Sequence, residues 1–506
     1  MPTRELPARP HLEHLKKQAR ELLDAAQLHD PEATARLSAV GVDASAPRLA
    51  DAQHALALEY GFATWAALKL HVALMSGDAI EAFVAAVRAG DADAVLSLLA
   101  KHPVLRARLD DALPGFDFDQ TALLTAVHQQ HRKHIDALLD AGADPNARSR
   151  WWAGGFGVLD FATPELAEHL ILRGATLDAH SAARLGKLDR LRTMLADDPS
   201  LVHARGGDGQ TPLHFAANVD VAALLLQHGA EVDARDIDHE STAAQYMAAD
   251  RERKEVVRLL LDQGATPDIM MAAALGDLTL VERLLRENSD VVRMTVSDTW
   301  FPRKNLRAGG VIYMYTFGNT KTPHLIAHEY GHAAVFALLM RHSAPWLQLV
   351  VSAEVGDAAT MDKLLDQMPD RKPQMHPANA RRLVGVAVRN QAEALRLLVE
   401  HNWPIDVPLD NGQTALHYAA WHGNLAMVET LLAHGAPVNV FENEHGGSPL
   451  AWALHGSLNG WHRDTGDYVG VVKALLNAGA NVPKPERPLE ATKPVLAALL
   501  SHAKKP

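Results

Sequence analysis

Apolar residues follow helical spacing along almost the whole chain, but with two different rhythms. From His11 to Leu28, Leu12, Leu15, Ala19, Leu22, Leu23 and Ala26 form one stripe with a polar reverse face, which predicts an amphipathic helix. Asp30-Pro31-Glu32 reads as a cap with proline at the first helical position. A third helix is expected from Leu49 to Tyr60, stopped by Gly61, and a fourth from Thr64, burying Trp65, Leu68 and Val72. From about residue 76 the helices become short and paired. A late Gly-Ala recurs at Gly142, Gly174, Gly229, Gly264, Gly435 and Gly479, and Thr- or Ser-led starts fall near Thr121, Thr211, Thr242, Thr322, Thr414 and Ser448. Degenerate units read through Ala86 to Asp91, Ala183 to Gly186, Ala273 to Asp277, Val350 to Asp357 and Leu383 to Asn390.

Each feature has a local reason. A leading Thr caps the first helix of a pair, and Pro fits its first turn. Paired alanines let neighbouring helices approach. A late Gly accepts the left-handed conformation that ends the second helix, whose apolar runs, such as Val256 to Leu261, fill a shared core.

The clearest units are Thr211-Pro212-Leu213-His214-Phe215-Ala216-Ala217 leading to Gly229-Ala230, and Thr414-Ala415-Leu416-His417-Tyr418-Ala419-Ala420 leading to Gly435-Ala436. Both resemble the ankyrin repeat, with its T-P-L-H-x-A start and its late Gly-Ala. The resemblance extends over roughly 430 residues. It implies an all-α solenoid of about twelve helix-pair repeats with β-turn fingers. The organisation expected is a helical N-terminal domain or cap over 1–75, repeats over 76–298, an inserted hairpin or loop over 299–319, repeats over 320–486 with a loop at 457–468, and a capping helix over 487–506. The Tyr60 to Trp65 segment is similar to the leader of many bacterial ankyrin proteins.

The pattern breaks in three places. Trp151 to Phe161 puts an aromatic, glycine-rich stretch where a finger and a first helix belong. In the insertion, Val311, Tyr313, Tyr315 and Phe317 alternate like one face of a strand, which would lengthen a finger into a hairpin. In the last repeat the Gly435 to Gly479 spacing stretches to 44.

Composition narrows the function classes. The chain has 506 residues, 48% of them hydrophobic, a net charge of −12 and no cysteine. Disulfides and thiolate metal sites are excluded, and the composition suits a reducing cytosol. The acidic balance argues against a nucleic-acid partner. The chain has no apolar run long enough to span a bilayer, and Met1 to Arg20 lacks the apolar centre of a signal peptide. A cytoplasmic protein is expected, with no membrane partner and no cofactor.

His328-Glu329-Tyr330-Gly331-His332 matches H-E-x-x-H, in which two His one helical turn apart bind zinc and the Glu activates water. Gly331 should end that helix and leave His332 beyond it, so no metal is expected. His324 and His328, four apart, stand where Leu and Ala are usual. They read either as hydrogen-bonded packing residues or as a pair placed toward Tyr313 and Tyr315.

The densest candidate chemistry lies near the C-terminus. Trp421 and His422 end one inner helix, His455 lies one repeat later, and Trp461, His462, Asp464, Asp467 and Tyr468 fill the long loop. That loop is similar to a W-H-x-x-T-G-D-Y loop in a group of bacterial ankyrin proteins. Stacked repeats would bring these residues side by side. They would then be either loop packing or a site of aromatic walls with imidazoles and carboxylates, able to grip a polar small molecule or to perform acid–base catalysis. The function expected is an interaction scaffold for a protein or peptide; the alternative is an enzyme or small-molecule binder using this cluster.

Overall fold

In a computed structural model, the described residues are 6, 12–28, 30–40, 47–62, 64–65, 68–69, 72, 78–367, 377–409, 411–443, 445–482 and 490–503. The chain divides into two compact units, Met1–Phe215 and Ala216–Pro506.

The first unit begins with helices Leu12–Gln27, Pro31–Ser38 and Leu49–Glu59, close to the expected bounds. The Asp30 carboxylate accepts from Ala33 N at 2.9 Å, as its position before Pro31 implies. Of the helix expected from Thr64, only part is described, with Leu68 and Val72 buried. The boundary expected near 75 and the first residues of the 487–506 stretch lie outside the described residues. Leu15, Ala19, Leu56, Ala57, Leu68 and Val72 cluster with one another, separate from the core that begins at Phe83.

Short inner and outer helices then alternate along the chain, and twelve such successions occur among the described residues. An inner helix of seven residues is too short to be stable alone. It forms because its cap is fixed and its faces are covered. Thr121 and Thr322 accept from the backbone N–H three residues on, at 3.2 and 3.1 Å. In the degenerate repeats Asp178 and Asp268 do the same, at 2.8 and 2.9 Å. In the helix Ala415–Trp421, Ala415, Leu416, Ala419 and Ala420 are buried against the inner helices before and after it. Each buried Leu or Val stabilises the stack by about 1.5–3 kcal/mol. The damaged repeat keeps only a 3₁₀ turn, Val158–Asp160, in place of its inner helix.

One element differs from expectation. Among the described residues there is no strand, only an isolated antiparallel bridge between Arg235 and Thr242. The stretch from Val311 to Phe317 coils instead: Tyr315 N and Thr316 N both bond to Ile312 O, at 3.0 and 3.1 Å, and a π turn covers Met314–Gly318. Val311, Ile312 and Tyr313 are all buried in succession, while Tyr315 is 65% exposed. Alternation misled because the run has no partner strand. A turn lets Tyr313 and Phe317, four apart, pack with ring centroids 4.9 Å apart.

The histidine of the repeat motif explains itself. His417 is fully buried; its Nδ1 accepts from Thr414 N at 3.1 Å and from Thr414 Oγ1 at 2.9 Å, and its Nε2 donates to Gly447 O at 3.2 Å. Burial holds its pKa below the ordinary imidazole value. His417→Ala strands a buried N–H and a buried carbonyl, so an unfolding free energy lower by about 1–3 kcal/mol is expected in urea titration. A change within measurement error would show that these groups find other partners.

Candidate functional site

The last two full repeats present a continuous aromatic face. Trp421 ends the inner helix Ala415–Trp421, and its carbonyl accepts the Tyr468 hydroxyl at 2.8 Å. Gly423 follows with φ +64°, and a Cβ there would lie 2.9 Å from the Tyr468 ring and 3.0 Å from Gly466 Cα. Glycine thus lets the 460–467 loop settle onto this turn, where Asp467 N bonds to Gly423 O at 2.9 Å. The loop delivers Trp461 and His462. The Trp461 ring stands edge-on to Trp421, centroids 6.2 Å apart, and 5.5 Å from His422, with 67% of the residue exposed. The His462 ring is 5.1 Å from His422. His455 lies 5.8 Å from Trp421. Trp452 extends the face, 6.0 Å from Trp421 and 5.3 Å from Tyr418.

Five expected residues therefore do converge: Trp421, His422, His455, Trp461 and His462. Tyr468 is buried beneath them as a support, its phenol pushed up to about 12 by burial. The two carboxylates do not join. Asp467 caps the helix Tyr468–Asn477 by accepting from Gly470 N at 2.7 Å. Asp464 points to solvent beside Arg463. Among the described residues, no carboxylate oxygen lies within 4.0 Å of a ring nitrogen of His422, His455 or His462. The arrangement offers stacking and hydrogen bonding, without a carboxylate to orient an imidazole for proton transfer.

His422 is 2% exposed, and its Nε2 donates to Val388 O at 3.0 Å. With the proton on Nε2, Nδ1 is a buried acceptor, and no donor meets it. Burial, and then His462 beside it, holds this imidazole below its ordinary pKa. Two contributors escaped the sequence reading. Trp452 was hidden as one more inner-helix residue. Asn390 bridges His462 Nε2 at 3.3 Å and Asn424 Nδ2 at 2.8 Å. Its signal is an asparagine with φ +57° where neighbouring repeats place a left-handed glycine.

The candidates around the insertion separate rather than converge. Tyr313 is fully buried and donates to Asp268 Oδ2 at 3.0 Å, while Tyr315 faces solvent and donates to Gly309 O at 3.0 Å. Burial raises the Asp268 carboxyl; burial, and then Asp268, raises the Tyr313 phenol. His324 is fully buried, donating from Nε2 to Ser343 Oγ at 2.8 Å, whereas His328 is exposed against Phe336. Four residues turn a helix by about 40° past a full circle. In a helix ending at Glu329, that suffices to bring His328 out of the core. Gly331, at φ +79°, ends the turn, and His332 stands just before the next helix, its side chain donating to Ala274 O at 3.0 Å. Glu354 is buried in an ion pair with Arg389.

The fold and its repeat turns define an ankyrin-repeat protein. The profile described as ankyrin repeats in three copies matches residues 179–270, 347–442 and 386–486, and a single-repeat profile matches 118–150. The chain belongs to this family. It is similar to mouse ankyrin repeat and SAM domain-containing protein 6, 32% identical over 125 residues, which is 24% of this chain and 14% of that protein. Human inversin is 26% identical over 298 residues, 57% of this chain and 21% of inversin. The Arabidopsis thaliana serine/threonine-protein kinase VIK is 49% identical over 49 residues, 9% of this chain and 11% of the kinase. The chain thus matches about a fifth or less of each relative's length.

His324 gives a pH test. Burial, and then the nearby Arg382, lowers its pKa to about 3. The unfolded chain therefore takes up a proton below pH about 6.5 that the folded chain refuses. Stability present above that pH is lost as pH falls toward 3, by about 1.4 kcal/mol per unit. His324→Leu should flatten the dependence of unfolding free energy on pH by one proton between about pH 6 and about pH 4. An unchanged slope would show that His324 titrates normally.

Proposed function

We propose that this protein is a cytoplasmic interaction scaffold that binds a protein or peptide across the aromatic face of its C-terminal repeats. Ankyrin repeats generally mediate protein–protein contacts, and stacked repeats offer an extended surface for them. The observation that carries the reading is the cluster of Tyr418, Trp421, Trp452 and Trp461, with Trp461 67% exposed. Trp and Tyr are the side chains that most often dominate binding energy at interfaces. The absence of cysteine suits the reducing compartment, and no helix among the described residues is long and apolar enough to cross a membrane. The N-terminal helices, with clusters of their own, fit a small separate domain better than a cap on the array.

A polar small molecule is the second reading. The buried His422 Nδ1, an acceptor without a donor, favours it.

Replacing Trp461 by a photo-crosslinking phenylalanine analogue tests the scaffold. A discrete protein adduct is expected from position 461 and not from Leu278, on an outer helix. Trp421→Ala should weaken binding of the captured partner by about tenfold or more, the scale of an interface hot spot. Equal labelling at both positions, or binding indifferent to Trp421, would refute it.

A further inference from the structure

The aromatic face is one-sided in its hydrogen bonding. Among the described residues, no protein acceptor meets the indole N–H of Trp421, Trp452 or Trp461. The first two nitrogens are not buried, and Trp461 is mostly exposed. Two imidazoles present the same polarity. Asn459 Nδ2 donates to His455 O at 3.4 Å and to His455 Nδ1 at 3.3 Å, which leaves the His455 proton on Nε2. Asn424 Nδ2 donates to Asn390 Oδ1 at 2.8 Å. That turns Asn390 Nδ2 toward His462 Nε2, at 3.3 Å, and leaves the His462 proton on Nδ1. A neutral imidazole carries one N–H, and neither of these two meets a protein acceptor among the described residues. Five neutral donors thus stand on this face with nothing of the protein to bond to.

The rings are also set in corners. Trp421 meets Trp452 at 71° and Trp461 at 87°. A flat ligand would stack on parallel rings, whereas a corner takes a compact saturated ring. The charges of the loop are already engaged: Arg463 and Asp464 face each other at 3.7 Å, and Asp467 caps its helix.

We infer that the partner presents a proline-rich segment in the polyproline II conformation to this face. The inference rests on reading the face as a peptide-binding surface. A helix uses its carbonyls internally, and a strand brings N–H groups that need acceptors. A polyproline II chain makes no internal hydrogen bonds and leaves its carbonyls outward, and each proline removes an N–H. Such a segment brings acceptors and needs few, the complement of five unpaired donors. Its pyrrolidine rings fit the tryptophan corners, as such segments dock in aromatic-lined grooves. Its conformation exists before binding, so little ordering entropy is lost. An acidic segment would also bring acceptors, but the five donors are neutral and the one cation of the loop, Arg463, already faces Asp464.

Fluorescence anisotropy with the full chain tests it. The probe is a fluorescein-labelled peptide of Pro-Pro-Ala repeats about a dozen residues long. Peptides of Gly-Ser-Ala and of Glu-Glu-Ala repeats of equal length are the controls. The proline peptide should bind at least about tenfold more tightly than either control. Its binding should change little as salt rises from about 50 to about 200 mM, because no ion pair is involved. Trp452→Phe combined with Trp461→Phe keeps two rings and removes two donors, and should weaken binding about fivefold or more. An unchanged urea midpoint verifies the fold of that variant. In proton–nitrogen correlation spectra of the unmodified chain, the two indole signals that the variant lacks should move downfield on adding the peptide. No saturable binding below about 1 mM, tighter binding of the Glu-Glu-Ala peptide, or equal binding by the double variant overturns the inference. Crosslinking from Trp461 to a partner stretch that holds no proline run overturns it too, while leaving the scaffold standing. Equal labelling from the positions of Trp461 and Leu278 sinks both.

Discussion

Every inner helix here ends with carbonyls that it cannot satisfy itself, and the structure depends on who satisfies them. Repeatedly it is a side chain from the repeat that follows. Gln129 donates to Arg88 O at 2.9 Å, Arg184 to Ala162 O at 2.6 Å, His332 to Ala274 O at 3.0 Å, His422 to Val388 O at 3.0 Å and Tyr468 to Trp421 O at 2.8 Å. The donors differ in chemistry but share a task. Two of the most suggestive histidines in the chain, His332 and His422, owe their placement to it. The H-E-x-x-H string is thereby accounted for without a metal ligand, and His422 keeps only Nδ1 for anything else.

That rule also shapes the aromatic face. Tyr468 reaches the Trp421 carbonyl only because Gly423 leaves room for its ring. The same approach lays the 460–467 loop on the repeat and brings Trp461 to Trp421. A structural hydrogen bond and a binding surface therefore share one set of residues. The insertion works differently: finger side chains hold its main chain, Tyr313 is plugged inward, and Leu306 and Tyr315 are left outward.

Much of this was legible in the chain. Capping Thr, buried His and left-handed Gly act within a few residues, so they leave a local signature, and the repeats could be read from it. The meeting of Trp421, His422, His455, Trp461 and His462 followed from stacking equivalent positions. What failed was long-range or context-dependent. Tyr313 and Tyr315 were assigned to one face because their alternation lacked information about a partner strand. Asp464 and Asp467 looked like partners for imidazole, yet an aspartate just before a helix is used first by that helix's own N–H groups. His324 and His328 share a helix but not an environment, because a seven-residue helix has only one turn fully inside the stack. Asn390 was missed since it stands in for a glycine and reveals itself only by its backbone.

The donor-to-carbonyl series has a direction, and direction matters to a chain made from one end. Where the donor comes from the repeat that follows, an inner helix stays incomplete until that repeat, some thirty residues later, has been synthesised. At about 5–20 residues per second that is a delay of a few seconds per repeat. The nascent array grows with one unfinished edge, and the helix Lys493–Ala503, packed on Tyr468–Asn477, covers that edge for the repeat before it.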